Sequence, residues 1–173
     1  MKQTFLHFLT LIDQPNMGAC YRLCNDHFKR FEQSLGSLTK HQAWPGGYID
    51  HITEGMNFGF NLYEMMSKYE RPLDFTLSDF LLVFFLHDLE KPFRYVEPKL
   101  ILDTDEQKNA FIDSIIEKYG FNLTNDHRNA LKYIHGEGDD YHRTERIQKP
   151  LAAFAHICDV ASARIWFDYP KNN

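Results

Sequence analysis

Cysteine is scarce in this chain, and no two cysteines form a CxxC pair. The three thiols, Cys20, Cys24 and Cys158, are an odd number, which argues against a disulfide framework. Cys20, Cys24 and His27 are spaced to share one helix face as metal ligands, but buried reduced thiols are the simpler reading. Long hydrophobic runs are missing too. The longest strictly apolar stretch, Phe80–Leu86, has seven residues, far below the ~20 that cross a bilayer. The apolar stretch near the N-terminus is interrupted by His7, and Asp13, Gln14, Pro15 and Asn16 separate it from Cys20, so it does not read as an export signal. A cytoplasmic protein with no membrane segment is the expectation. A basic surplus is also lacking: 19 Lys+Arg stand against 24 Asp+Glu, a formal net charge of −5, so extensive duplex nucleic-acid binding is not expected.

No linker rich in Gly, Ser or Pro and no internal repeat interrupts the 173 residues, which read as one domain over 1–173. Apolar residues make up 43% of the chain, with 15 Phe, enough to bury a core without a disulfide or structural metal. Helical periodicity dominates, and no alternating strand pair is visible. Helices are expected over about Met17–Leu38 and from Gly47 to about Tyr69. The second is apolar nearly all round and so is expected to be central. Thr76 and Asp79 have the spacing of a capping box opening the run SDFLLVFFLHDLEK, with Pro92 as its stop. Thr104 and Gln107 open another helix, which Gly120 closes. Further helices are expected over about Asn125–His135 and from Pro150 to about Tyr169, separated by a polar loop. The fold class is therefore all-α, a bundle of six or seven helices.

His87 and Asp88 stand side by side at the end of the seven-residue apolar run, where an unpaired carboxylate is costly. Two readings compensate it. One is a buried His–Asp hydrogen bond. The other is a divalent metal, because neutral imidazole and carboxylate are good ligands for Mn, Fe, Co, Ni or Zn. Two more groups of this kind are embedded in apolar helices: His51, after the turn Pro45-Gly46-Gly47, and Asp159 in LAAFAHICDVASARIWF. His51, His87, Asp88 and Asp159 together make a mixed N/O metal set with room for water.

Three separated pieces, HQAWPGGYIDH (41–51), FLHDLEK (85–91) and DVASAR (159–164), occur in the order seen in one family. By them the chain resembles the HD-domain metal-dependent phosphohydrolases over about residues 41–166. The resemblance implies an HD-type helical bundle with His51, His87, Asp88 and Asp159 as metal ligands. It also implies hydrolysis of a phosphate ester of a nucleotide or related small molecule by a metal-activated water. Asp88 then both binds metal and takes the water's proton. Lys91, one turn on, orients Asp88 or meets phosphate. His41 and His135 protonate the leaving group or contact phosphate, and Arg94 and Arg164 clamp phosphate. Glu90 stands where the family often has glycine. Dinuclear members carry additional histidines after the His-Asp pair, whereas here the next is His127, so one ion is expected. His127, Leu131 and His135 are spaced for one helix face. Two alternatives accompany this expectation: a diiron oxygenase of the same fold, and a non-catalytic domain that binds metal or nucleotide. A homodimer is the default for a soluble enzyme.

Overall fold

Three threonines start helices by the same device in the computed structural model, which describes residues 3–169. Thr76, Thr104 and Thr124 each accept a hydrogen bond from the backbone N–H three residues on, and Asp79, Gln107 and His127 at those positions reach back to the threonine N–H. Each such box is worth about 1 kcal/mol to the helix it opens. In chain order the α-helices are α1 (Phe5–Leu9), α2 (Asn16–Gln33), α3 (Gly47–Met66) and α4 (Leu77–Leu86). They continue as α5 (Lys91–Tyr95), α6 (Asp105–Tyr119), α7 (Asn125–Tyr133) and α8 (Pro150–Val160). Six have nine residues or more, no strand occurs among the described residues, and the architecture is an all-α bundle. No helix among the described residues is long and apolar enough to cross a membrane.

Helices α3 and α4 form the centre. Every residue of α4 from Phe80 to Leu86 is buried, as are Tyr48, Ile52 and Met56 of α3. Glycine makes their close approach possible. A Cβ on Gly55 would lie 2.1 Å from the Phe84 ring, and one on Gly59 would lie 2.2 Å from the Phe80 ring. Phe154 of α8 closes the other side, edge-on to Phe80 at 5.0 Å between ring centres. The aromatic stripes are thus core. Cys20, Cys24 and Cys158 are buried free thiols, and burial pushes Cys24 up to about 12. His27 takes no part with the cysteines in a ligand set: its Nε2 lies 3.0 Å from the Tyr119 hydroxyl, and its ring packs edge-on to Phe93.

Three expectations need correction. Pro92 does not simply stop α4. Hydrogen bonds from Leu89 to Leu86 and from Lys91 to Asp88 tighten the chain into 3₁₀-like turns, and Pro92 then sits in the first turn of α5, where its missing N–H costs nothing. Helix α2 ends at Gln33 rather than Leu38, because the buried Ser34 leaves the helix and its carbonyl accepts from Tyr48 N–H. The last helix does not run on unbroken to Tyr169. It widens into a π-turn over Ala161–Ile165, closed by Trp166 N–H on the Ala161 carbonyl. Such turns are short and concentrate at functional sites.

Candidate metal centre

Two orphaned nitrogens mark the site. Nε2 of His51 and Nε2 of His87 are fully buried and have no hydrogen-bond partner. The other nitrogen of each ring is engaged. His87 Nδ1 donates to the Phe84 carbonyl at 2.8 Å, and His51 Nδ1 donates to the Ser162 hydroxyl at 3.0 Å. Ser162 in turn donates to the His51 carbonyl, so its oxygen is left to accept from the ring. A neutral ring that donates through Nδ1 in this way would turn a lone pair, not a proton, into the space between them.

Two carboxylates share that space. Asp159 Oδ1 lies 3.2 Å from His51 Nε2 and 3.7 Å from His87 Nε2. Asp88 Oδ2 lies 3.4 Å from His51 Nε2 and 3.3 Å from His87 Nε2. Lone pairs and carboxylates at such separations repel unless a cation or a proton sits among them. Without a cation, the two carboxylates favour a proton on the imidazole between them. Burial alone would depress His87, but Asp88 and Asp159 overcome it and lift the imidazole to about 10, while both carboxylates stay well below their usual range. A divalent ion would meet the ring nitrogens and carboxylate oxygens with the rings neutral, so the types of donor fit a metal of mixed N/O preference. His51, His87 and Asp159 have donor atoms within 4.8 Å of one another, as do His87, Asp88 and His135.

The surrounding residues hold these donors in place. Asp88 is 3% exposed in its side chain and bonds Lys91 Nζ through Oδ2, while its Oδ1 faces His135 Nε2 at 3.8 Å. His135 lies just past the end of α7, in a turn where Gly136 has φ of +103°, and its side chain is 60% exposed. His127 parts company with it. It is buried and bonds Asp79 at 2.9 Å, which helps to hold that carboxyl down to about 2. The shared helix face expected for the two histidines is therefore not realised, because α7 ends before His135. Glu90 is buried beside Asp88 and lies 3.7 Å from Arg94; burial, with the Asp88 charge next, raises its carboxyl. Arg94 lines a cleft on one side of the cluster and Arg164 lines a cleft on the other.

His41 reaches the site from the loop before α3, its ring 4.8 Å from that of His51. Burial, then the neighbouring His51 and Lys91, lowers it to about 4, so at neutral pH the ring is uncharged. Its Nδ1 donates to Gln42 Oε1 at 2.9 Å. Gln42 is the fastener of this loop, with a left-handed φ of +38°. Its backbone N–H donates to the Phe167 carbonyl at 2.7 Å, its carbonyl accepts from Gly36, and its amide donates to the Trp166 and Ser162 carbonyls. These bonds offset the strain of that conformation. Gly47 permits the packing: a Cβ there would fall 1.8 Å from the Gln42 carbonyl oxygen.

Gln42 and Ser162 escaped the reading of the sequence. Ser162 follows Asp159 by three residues, a helical spacing that carried the signal; Gln42 offered none beyond standing next to His41. Because Ser162 fixes the tautomer of His51, Ser162→Ala is expected to weaken binding of Mn²⁺ by about 10–100-fold with the fold retained, measured by calorimetric titration. Unchanged affinity would mean that the serine does not orient the ligand.

Compared with known protein families, characterised proteins and solved structures, the chain matches none.

Proposed function

We propose that this protein is a metal-dependent phosphohydrolase of the HD type, with one ion held by His51, His87, Asp88 and Asp159. The carrying observation is the pair of buried, unpartnered imidazole nitrogens facing two carboxylates. Order and type of the three sequence pieces support the same reading. An ion bound there would lower the pKa of a bound water and neutralise charge on phosphoryl oxygens. The chain's own groups have roles around it. Lys91 orients Asp88 through their hydrogen bond and keeps its charge from being uncompensated. The second Asp88 oxygen, turned toward His135, is positioned to accept a proton. His135 and the neutral His41 are hydrogen-bonding groups at the leaving oxygen or at the phosphate, and Arg164, in the adjoining cleft, supplies a cation for a phosphate group elsewhere on the substrate.

Donor supply favours one ion over two. The two overlapping ligand groups share His87, whose remaining nitrogen is already committed to the Phe84 carbonyl. A nucleotide phosphate ester is the proposed substrate class. The test is release of phosphate and nucleoside by purified protein with Mn²⁺, across nucleoside mono-, di- and triphosphates and cyclic nucleotides, with Asp88→Ala as the blank. Metal-dependent turnover that disappears in the variant is expected. Silence from metal-loaded protein would overturn the hydrolase reading in favour of a non-catalytic binding domain. Two bound irons with oxygen uptake would favour an oxygenase.

A further inference from the structure

The metal cluster sits where two clefts meet. One, of about 680 Å³, has His87 and Asp88 on its wall and continues past Arg94, Lys108, Arg128 and Lys132. The other, of about 540 Å³, has His41 and Asp159 on its wall and continues past Lys40, Arg164 and Phe167. Lys91 and His135 line both. Each volume lies in the range of a small-molecule site. A phosphomonoester has one organic substituent and fills one cleft. A phosphodiester has two, and with its phosphorus at the cluster it fills both.

The two clefts differ in charge. In the first, the cations are neutralised: Lys108 by Asp105 at 2.7 Å, Arg128 by Asp113 at 2.8 Å, Lys132 by Asp140 at 2.6 Å, and Arg94 lies 3.7 Å from Glu90. In the second, Lys40 and Arg164 are exposed and have no ion-pair partner among the described residues. Beside them Phe167 is 48% exposed, although the bond from Gln42 N–H holds its backbone. A half-exposed ring on a fixed backbone is a stacking surface, and every nucleobase offers a face to it. His156 adds a polar group to the same cleft. Its Nδ1 donates to the Ile134 carbonyl at 2.6 Å, which leaves Nε2 as the ring nitrogen available to a hydroxyl or base of a bound unit.

We propose, on the hydrolytic reading of the cluster, that the substrate is a phosphodiester joining two nucleoside units of a short single strand. One unit occupies each cleft, and the flank that carries a further phosphate lies against Lys40, Arg164 and Phe167. Water oxygen bonds to phosphorus and the P–O bond to one sugar breaks. The leaving sugar oxygen gains a proton, and the products are a phosphomonoester and a free hydroxyl.

Thymidine compounds test this with Mn²⁺-loaded protein. TpT is expected to be cleaved with a kcat/KM at least about tenfold above that for phosphate release from TMP. One of the two end-phosphorylated forms, pTpT or TpTp, is expected to exceed TpT by about tenfold. In the Lys40→Ala/Arg164→Ala double variant, that last ratio falls to near one. Equal or better use of TMP would overturn the diester proposal while leaving a hydrolase. So would an end-phosphate preference that is missing, or that survives the double variant, because the charged flank would then lie elsewhere. Failure to turn over any of the four compounds would count against the hydrolytic reading itself.

Discussion

Asp88→Asn is expected to reduce metal-dependent phosphate-ester turnover by about a thousandfold or more. The substitution keeps the size of the side chain and removes its charge. Asp88 Oδ2 lies 3.3–3.4 Å from both ligand nitrogens and is bonded to Lys91, and Oδ1 faces His135. On the proposed reading, an amide there loses a metal ligand and the proton acceptor together. Losing the charge stabilisation that one well-placed group supplies costs about 3–4 kcal/mol, which is two to three powers of ten in rate. Loss of metal adds to that. The same change leaves the Lys91 ammonium, 13% exposed, without its counter-charge, and breaking a buried pair costs about 3–5 kcal/mol of stability. The variant is therefore measured beside Asp88→Asn/Lys91→Met, which removes both charges. If the double variant regains the thermal stability of the parent and stays inactive, the loss belongs to chemistry and not to unfolding. Turnover within tenfold of the parent in Asp88→Asn would place the reaction elsewhere.

Gly55→Ala is expected to destabilise the protein by about 3 kcal/mol, although alanine is the better helix former by about 1 kcal/mol. The added methyl would fall 2.1 Å from Phe84, a ring that is fully buried in the middle of the core. Overpacking of a dense core typically costs about 1–3 kcal/mol, and this contact is with a ring that has nowhere to go. For a domain of this size, that is a fall in Tm of about 6–12 °C. The effect reaches the His–Asp cluster proposed to hold metal as well. The Phe84 carbonyl accepts from His87 Nδ1, and the two rings lie 4.6 Å apart. A displaced Phe84 therefore turns the His87 ring, and on the proposed reading weaker Mn²⁺ binding is expected with the lower Tm. Phe84→Leu in the Gly55→Ala background is expected to recover part of both. A Tm at or above that of the parent would show that the core yields at this point and that helix propensity prevails.

The residues that the sequence made legible are those whose type conflicts with their surroundings. His51, His87, Asp88 and Asp159 are polar groups in apolar helices, and the fold brings both carboxylates within 3.7 Å of the two imidazole nitrogens. Helix starts were legible where capping chemistry is local, as at Thr76 and Thr104. The break after Leu86 was not. The turn that carries Asp88 depends on i→i+3 hydrogen bonds and on Pro92 opening the next helix, and a proline after a helical pattern looks like a stop in either case. The π-turn at Ala161–Ile165 was equally hidden, because its residues are ordinary helix formers and the register is set by contacts with Gln42 and His51. Spacing misled in one place. His127 and His135 have the interval of one helix face, yet α7 ends between them, and His127 serves the start of α4 through Asp79. Long-range partners such as Gln42 and Ser162, 120 residues apart, leave no mark in local periodicity.

The most direct measurement is the stoichiometry of Mn²⁺ bound to the purified chain, read from the loss of the free aqueous Mn²⁺ paramagnetic resonance signal on titration. One ion per chain is expected, with binding abolished by His87→Ala. No bound ion, or one whose binding is indifferent to His87, would contradict the assignment of the buried His–Asp cluster as a metal centre.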